Sequence, residues 1–235
     1  MFQLPNSMEQ SVLCFEGAWL MKKIVINGGR ELNGKILLQG SKNSALPILA
    51  ATAAVDGISV LHNCPDLSDV SAAVKILEHI GCKVSREGHT VIVDARNANG
   101  CDIPEKQMRE MRSSIVFLGA LLARFGKATV TPPGGCEIGL RPIDMHISSL
   151  RTMGVRIKAR CGILDCNAEN GLNGCHINLA FPSVGATENI ILTALSAGGE
   201  TVISNAAREP EIIDLADFLC SCGAKISGAG QSVIR

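Results

Sequence analysis

The segment TPPGGCEIGLRPIDMH, residues 131–146, holds the side chain best placed for chemistry. Its two prolines and the glycines after them exclude regular structure, so we expect a loop that opens and closes, as catalytic lids do. Cys136 lies near the tip of this loop, and Arg141 follows five positions later, where its charge would favour the thiolate. Most cysteines are inert, however, and this chain has ten. These features alone leave both a reactive and an inert Cys136 open.

A second candidate is GSKNSALP, residues 40–47, in which Lys42 and Asn43 stand just before an apolar helix. The free N–H groups and the positive end of a helix dipole favour an anion at such a position, so a phosphate or carboxylate could bind there. A lysine at a helix start is often only a solvated surface residue, and that alternative stays open.

The segment MREMRSSIVF, residues 108–117, places Arg109 and Arg112 three positions apart at a predicted helix start. The helix dipole disfavours cations there, so the pattern indicates an anionic partner. That partner is either a bound ligand or a neighbouring carboxylate, Glu105 or Glu110.

The segment FPSVGATEN, residues 181–189, predicts a tight turn at Ser183, Val184 and Gly185 just before a helix. A turn of this kind presents backbone N–H groups to an anion. A plain N-cap formed by Ser183 or Thr187 explains the same residues equally well.

The composition excludes several classes of protein. Lys plus Arg equals Asp plus Glu at 22 each, and aromatic residues make up 3%, so neither charge nor base stacking supports nucleic-acid binding. No apolar stretch approaches the ~20 residues that cross a bilayer, and the N-terminus lacks a secretory signal pattern, so no membrane partner is expected. No GxxxxGKS/T, GxGxxG or GxSxG motif favours nucleotide hydrolysis, dinucleotide redox chemistry or a serine hydrolase.

The ten cysteines are scattered through the chain without a CxxC pair. Cys220 and Cys222 lie two apart and have no accompanying histidine pattern, so they do not indicate a metal site. We therefore expect reduced cysteines in a cytoplasmic protein, with no metal and no cofactor.

Three stretches of the chain follow one plan. In each, a predicted helix (residues 69–80, 144–153 and 212–222) is closed by a glycine, which is followed by a strand, a turn and a second strand. The closing glycines, Gly81, Gly154 and Gly223, lie 73 and 69 residues apart. A more apolar helix, then a glycine and a strand, precedes each of these helices.

These repeats predict an α/β fold of three βαβαββ units with the apolar helices inside and the sheets outside. Three unrelated helix–hairpin pairs remain the alternative. The last predicted strand, residues 232–235, ends with the chain, so we expect the third unit to be truncated.

The segments GSKNSALPILA, PGGCEIGLRPIDMHI, PSVGAT and NAAREPEI, in this order, resemble the bacterial UDP-N-acetylglucosamine enolpyruvyl transferases, and the similarity runs from about Ile24 to Arg235. The related shikimate-pathway transferases share the first lysine but lack the cysteine-bearing loop, so this loop decides between the two. The resemblance implies an inside-out α/β barrel that is one of two domains. It also implies transfer of the enolpyruvyl group of phosphoenolpyruvate to the 3'-hydroxyl of UDP-N-acetylglucosamine, the first committed step of peptidoglycan synthesis.

The resemblance implies a role for each matched residue. Cys136 would protonate the enolpyruvyl methylene carbon and carry covalent adducts, including that of fosfomycin. Lys42 and Asn43 would bind phosphoenolpyruvate. The family often has lysine where this chain has Phe181, which leaves a charge contact there open. Residues of three segments would hold the UDP-sugar, with Arg141 also near the phosphate: Arg112, Arg141, Pro142, Ile143, Asp144, Met145, His146, Ser183, Val184 and Gly185.

In the family, an aspartate and further arginines of a second domain complete the site, and the resemblance implies that this domain is missing from the 235 residues. We expect residues 1–20 to form an unstructured extension and residues 21–41 to hold first strands that belong partly to the missing domain. Residues 42–235 would form the domain of three repeats that carries the catalytic loop. The chain is then either a truncated, poorly active transferase or a non-catalytic fragment that binds the same ligands. A partner-binding protein is a third class, favoured only by the apolar surface that truncation would expose.

Overall fold

The computed structural model describes residues 28, 29, 31, 33–133 and 142–235. The chain divides into two compact units, Met1–Leu37 and Leu38–Arg235. The described residues of the first unit form neither helix nor strand, and Ile36 and Leu37 are almost fully exposed. In the stretch 21–41, where first strands are predicted, the described residues contain no strand. The predicted extension, residues 1–20, lies outside the described residues.

The described part of the second unit contains seven α-helices and a 3-10 turn, Arg112–Val116, that leads directly into the fourth helix. The helices are α1 (Lys42–Thr52), α2 (Ser68–His79), α3 (Glu105–Glu110), α4 (Phe117–Phe125), α5 (Asp144–Thr152), α6 (Val184–Ala194) and α7 (Pro210–Ser221). The three helices predicted to close on glycine are α2, α5 and α7, and each lies within two residues of its predicted bounds.

The apolar helices α1, α4 and α6 lie at the centre of this unit. Every residue of α4 from Phe117 to Leu122 is buried, so the helix is covered on all sides rather than along one stripe. Helix α4 packs against α6 and α1, while α2 and α7 pack against α1, and α5 packs against α6. The predicted interior position of the apolar helices is confirmed.

The strands within the described residues form three three-stranded sheets and one short pair. The first sheet has the order β1–β3–β2 and the second has the order β4–β6–β5, with antiparallel pairing throughout both. In the third sheet, β10 lies between β8, which is parallel to it, and β11, which is antiparallel. The strands are β1 (Ile58–Leu61), β2 (Lys83–Glu87), β3 (Thr90–Asp94), β4 (Lys127–Val130), β5 (Arg156–Arg160), β6 (Ile163–Asn167), β7 (Leu172–Asn173), β8 (His176–Asn178), β9 (Ala197–Gly198), β10 (Val202–Ser204) and β11 (Val233–Ile234), with β7 parallel to β9.

The glycines that close α2, α5 and α7 confirm the repeat. Gly81, Gly154 and Gly223 have φ values of 97°, 98° and 103°, a left-handed conformation that side chains with a Cβ rarely adopt. The hairpins predicted after the first two glycines are β2–β3 and β5–β6.

The third hairpin is shorter than predicted. Residues 224–227 form no strand, although Ser227 and Arg235 exchange backbone hydrogen bonds of 2.7 and 2.9 Å. Gly228 and Gly230 lie between the two arms with positive φ values of 81° and 79°. These turn conformations break the extended backbone, so regular pairing is limited to Val233–Ile234 with β10.

Candidate active site

Chain segments that are distant in sequence meet at one cleft of about 540 Å³. The predicted site residues that line it lie at the starts of α1, α5 and α6 and in the 3-10 turn before α4. A cleft of this size is typical of small-molecule sites. The predicted residues that line it are Lys42, Asn43, Arg112, Pro142, Ile143, Met145, His146, Ser183, Val184 and Gly185.

The remaining predicted residues are placed differently. Asp144 is the first residue of α5 but does not line the cleft. Cys136 and Arg141 lie outside the described residues. Arg109 lies in α3, where its guanidinium is 2.6 Å from the Glu105 carboxylate. For Arg109, the alternative of a neighbouring carboxylate is therefore confirmed.

Lys42 is positioned by a helix cap and by an ion pair. The Ser41 side chain caps α1 by accepting a hydrogen bond of 3.3 Å from the backbone N–H of Ser44. The Lys42 Nζ then lies 2.8 Å from Asp69 Oδ2 on α2, and the two side chains are 45% and 28% exposed. Because so exposed a pair contributes about 1 kcal/mol or less, an anionic ligand can compete with Asp69 for the ammonium group.

Asn43 connects α1 with α7, since its Nδ2 donates a hydrogen bond of 3.4 Å to Glu211 Oε1. Glu211 lies in the first turn of α7, where the helix dipole favours a carboxylate. Asp69 and Glu211 both line the cleft, and sequence reasoning identified neither. Acidic residues are so common in first helical turns that no local motif distinguishes these two.

The start of α6 supplies another side of the cleft. Ser183 is the N-cap, and its Oγ accepts a hydrogen bond of 3.4 Å from the Ala186 N–H, so the N-cap alternative is confirmed. The first N–H groups of α6 have no acceptor from a preceding helical turn, and Val184 and Gly185 at this end of the helix line the cleft. Phe181, where the family often has lysine, also lines the cleft and is 56% exposed.

Glu188 brings a buried carboxyl group into this side of the cleft. It is 4% exposed, and burial, with smaller contributions from Glu211 and Glu209, raises its pKa to about 8. Glu188 is therefore mostly protonated at neutral pH. Sequence reasoning missed it, although a glutamate within the apolar segment TENIILTAL is a signal that could have found it.

Asn189, the next residue on α6, has a completely buried side chain. Its Oδ1 accepts a hydrogen bond of 2.7 Å from the Gly119 N–H, and its Nδ2 donates one of 2.9 Å to the Ile115 carbonyl. The same Nδ2 lies 2.7 Å from Nδ1 of His146. His146 is 7% exposed, and burial lowers its pKa to about 4, an effect that the nearby Asp144 opposes.

The described residues include no group of three or more His, Cys, Asp or Glu side chains that could hold a metal ion. None of the helices in the described ranges is long and apolar enough to cross a membrane. The groups that the described part of the cleft offers to a ligand are hydrogen-bonding side chains, the cations Lys42 and Arg112, and helix N-termini.

Curated proteins with similar sequences are carboxyvinyltransferases. The chain is 54% identical over 214 residues to UDP-N-acetylglucosamine 1-carboxyvinyltransferase 2 of Caldanaerobacter subterraneus subsp. tengcongensis. The aligned residues cover 91% of this chain and 51% of that protein. It is 47% identical over 219 residues to UDP-N-acetylglucosamine 1-carboxyvinyltransferase 1 of Symbiobacterium thermophilum, covering 91% of this chain and 50% of the relative. The chain thus spans about half the length of these curated relatives.

Solved structures share the fold. The enolpyruvyl transferase NikO from Streptomyces tendae superposes with a TM-score of 0.77 at 24% identity, over 88% of this chain and 48% of that one. EPSP synthase from Acinetobacter baumannii superposes with a TM-score of 0.66 at 20% identity, over 86% of this chain and 46% of that one. At these identities the likeness concerns the fold alone, and it confirms the predicted enolpyruvyl-transferase architecture.

The family model described as EPSP synthase (3-phosphoshikimate 1-carboxyvinyltransferase) matches residues 26–234, nearly the whole chain. The match includes every described residue that lines the cleft. The chain therefore belongs to this family of carboxyvinyl (enolpyruvyl) transferases, and its curated relatives within the family are UDP-N-acetylglucosamine 1-carboxyvinyltransferases.

Proposed function

We propose that this chain is the N-terminal portion of an enzyme that transfers the enolpyruvyl group of phosphoenolpyruvate to the 3'-hydroxyl of UDP-N-acetylglucosamine. Phosphate is the second product, and the reaction is the first committed step of peptidoglycan synthesis, in the cytoplasm. The observation that carries the proposal is the convergence of Lys42, Arg112 and the start of α6 on one cleft. The sequence identity to the curated carboxyvinyltransferases supports the choice of substrates.

The cleft fits two anionic substrates. Phosphoenolpyruvate carries a phosphate and a carboxylate, and the UDP-sugar carries a diphosphate, so both need cations or oriented N–H groups. Lys42 and Asn43 at the start of α1 would bind phosphoenolpyruvate. Arg112 and the N-terminal N–H groups of α6 would bind the diphosphate. A protonated Glu188 would add no negative charge beside these anions.

The reaction requires an acid and a base. The sugar hydroxyl adds through its oxygen to C2 of phosphoenolpyruvate while C3 takes up a proton, and the tetrahedral intermediate then loses phosphate from C2 and a proton from C3. We propose the Cys136 thiol as the group that delivers the proton to C3 and as the site of fosfomycin addition. The base that takes the hydroxyl proton would come from the second domain of the enzyme.

Calorimetric titration with UDP-N-acetylglucosamine tests the ligand assignment, with a matched pair of arginines. Arg112→Ala is expected to weaken binding about tenfold or more, since a charge-assisted hydrogen bond contributes about 1.5–3 kcal/mol. Arg109→Ala removes an arginine three residues away that pairs with Glu105 outside the cleft, and it should leave the affinity unchanged. Equal effects of the two substitutions, or no binding to the unmodified chain, would contradict the proposal.

Phosphoenolpyruvate requires a second titration, performed on the complex with the UDP-sugar. Lys42→Ala should weaken binding about tenfold or more for the same reason. Lys75→Ala is the control, because Lys75 pairs with Glu110 at 3.0 Å and does not line the cleft.

Release of phosphate from the two substrates distinguishes a transferase from a ligand-binding fragment. We expect this 235-residue chain to bind ligand but to turn over slowly or not at all, because Cys136 would work without its base. Turnover at a rate typical of enzymes, abolished by Cys136→Ala, would show instead that the chain is a complete catalyst.

A further inference from the structure

The buried side chain of Asn189 determines which nitrogen of His146 carries the proton. The orientation of the Asn189 amide follows from its two backbone partners. The Gly119 N–H can only donate and the Ile115 carbonyl can only accept, so the atom facing Gly119 is Oδ1 and the atom facing Ile115 is Nδ2.

The second hydrogen on Asn189 Nδ2 points to His146 Nδ1 at 2.7 Å. Because the amide nitrogen can only donate, Nδ1 must accept and therefore carries no proton. A neutral imidazole that is unprotonated at Nδ1 is protonated at Nε2. Adding a proton at Nδ1 would place two donors against each other in a buried site, which agrees with the lowered pKa of this histidine.

The Nε2 edge of His146 faces the start of α6. A Cβ added at Gly185 would lie 3.2 Å from Cε1 and 3.5 Å from Nε2 of the ring. No described residue accepts a hydrogen bond from Nε2, although the side chain is more than nine-tenths buried and lines the cleft. Nε2 is not one of the described polar atoms that are fully buried without a partner, so it reaches the cleft that the side chain lines. An N–H that faces a cleft without a described protein acceptor is available to an oxygen of a bound ligand.

We infer that Asn189 is a positioning residue that holds His146 as the neutral Nε2–H tautomer, and that this N–H donates a hydrogen bond to an oxygen of the ligand bound at the start of α6. The inference rests on the proposed function for the identity of that ligand, the UDP-sugar. The donor adds direction without charge, so it distinguishes an oxygen acceptor at this point from a ligand N–H group of similar shape.

The protonation state can be measured without any ligand. In the chain labelled with ¹⁵N at histidine, we expect His146 at neutral pH to show the nitrogen shift of an unprotonated Nδ1 and a protonated Nε2. The signal is assigned by its loss in His146→Gln. An Nδ1–H tautomer or a cationic ring would overturn the inference.

Substitution of Asn189 tests the positioning role. Asn189→Asp replaces the donor with an acceptor, so the proton should move to Nδ1 and the pKa of His146 should rise. Asn189→Ala should give a mixture of tautomers and weaken binding of UDP-N-acetylglucosamine about three- to tenfold, the range expected for one lost hydrogen bond. Unchanged tautomer populations in both variants would contradict the assignment.

A buried polar control separates positioning from general loss of stability. Thr52 on α1 is completely buried and donates a hydrogen bond of 2.7 Å to the Leu49 carbonyl, away from the cleft. Thr52→Val should lower stability but leave the His146 nitrogen shifts and the UDP-sugar affinity unchanged; a shift as large as that of Asn189→Ala would overturn the inference.

The two proposals fail separately. If UDP-N-acetylglucosamine binds the unmodified chain without moving the His146 Nε2 signal, the inference is wrong and the proposed function stands. If this ligand does not bind the unmodified chain at all, the proposed function fails and so does the ligand contact. The tautomer measurement still decides the role of Asn189 in that case.

Discussion

Two groups of residues that line the cleft differ in exposure and in charge. The charged wall, which we define as Lys42, Asp69 and Glu211, is made of ionised side chains that are partly exposed and pair with one another or with Asn43. The neutral wall, defined as His146, Gly185 and Glu188, is buried or half-buried. It carries little charge at neutral pH, because burial lowers the pKa of His146 and raises the pKa of Glu188.

This difference predicts how each wall recognises a ligand. Exposed charges attract anions over a distance but are screened by salt and move easily. Buried N–H groups act only at contact, yet they keep their direction because packing fixes them. The charged wall should therefore control how strongly binding depends on salt, and the neutral wall should control which ligand atoms are accepted.

The largest expected effect comes from Gly119→Ala, which disturbs the support of the neutral wall. A Cβ at this position would lie 2.6 Å from both the backbone oxygen and Oδ1 of Asn189, so α4 and α6 must separate. We expect the free energy of unfolding to fall by about 3 kcal/mol, measured by urea denaturation. Gly57→Ala is the control, because its Cβ would meet only Val55 at 3.8 Å. If Gly119→Ala lowered the free energy of unfolding by no more than Gly57→Ala does, the helices would tolerate the methyl group and the prediction would be wrong.

Glu188→Gln tests the protonated carboxyl of the neutral wall. Since the folded-state pKa is raised from 4.5 to about 8, the folded protein binds more protons than the unfolded chain between these values, and its stability falls as pH rises. Relative to Glu188→Gln, the unmodified chain should lose about 1 kcal/mol per pH unit between pH 7 and pH 8. If the unfolding free energies of the two proteins changed equally with pH, Glu188 would be ionised at neutral pH and the prediction would be wrong.

His146→Gln tests the other neutral group, at acid pH. The folded-state pKa of His146 is lowered from 6.5 to about 4, so the unfolded chain binds the extra proton in this window and stability falls as pH falls. The difference in unfolding free energy between the two proteins should change by about 1 kcal/mol per pH unit near pH 5. Denaturation in a series of buffers measures it, and a difference that does not vary with pH would contradict the neutral assignment.

Asp69→Asn gives the smallest expected effect, and it concerns the charged wall. Loss of the exposed ion pair with Lys42 should change the stability by less than about 1 kcal/mol. Inorganic phosphate should bind more tightly because Lys42 no longer has a competing carboxylate, and sodium chloride should reduce this gain. Tighter phosphate binding that is unaffected by salt would mean that the gain does not come from the Lys42 charge.

Local features of the cleft could be predicted from the sequence. The starts of α1 and α6 are predictable because small and polar residues before an apolar run are a signal that spans only a few positions. Ser183 is one of the predicted N-caps, and the structure adds Ser41 as the N-cap of α1. The closing glycines were predicted for a similar reason, since a left-handed residue at a helix end strongly favours glycine.

The buried polar network could not be predicted in the same way. Glu188 and Asn189 stand out as polar residues in an apolar helix, but their environment depends on residues far along the chain. The partners of Asn189 lie 43 to 74 positions away, at His146, Gly119 and Ile115. No local pattern specifies which of these groups the amide reaches.

The sequence by itself determined the three repeats, the apolar core helices and the family, because these depend on periodicity and on short motifs that hold wherever the chain folds. Only the tertiary structure decided which residues form one cleft, which arginine pairs outside it, and which ionisable groups lose their charge. Those properties depend on burial and on distances between segments. They follow from how α1, α4 and α6 pack together, and no single segment contains that information.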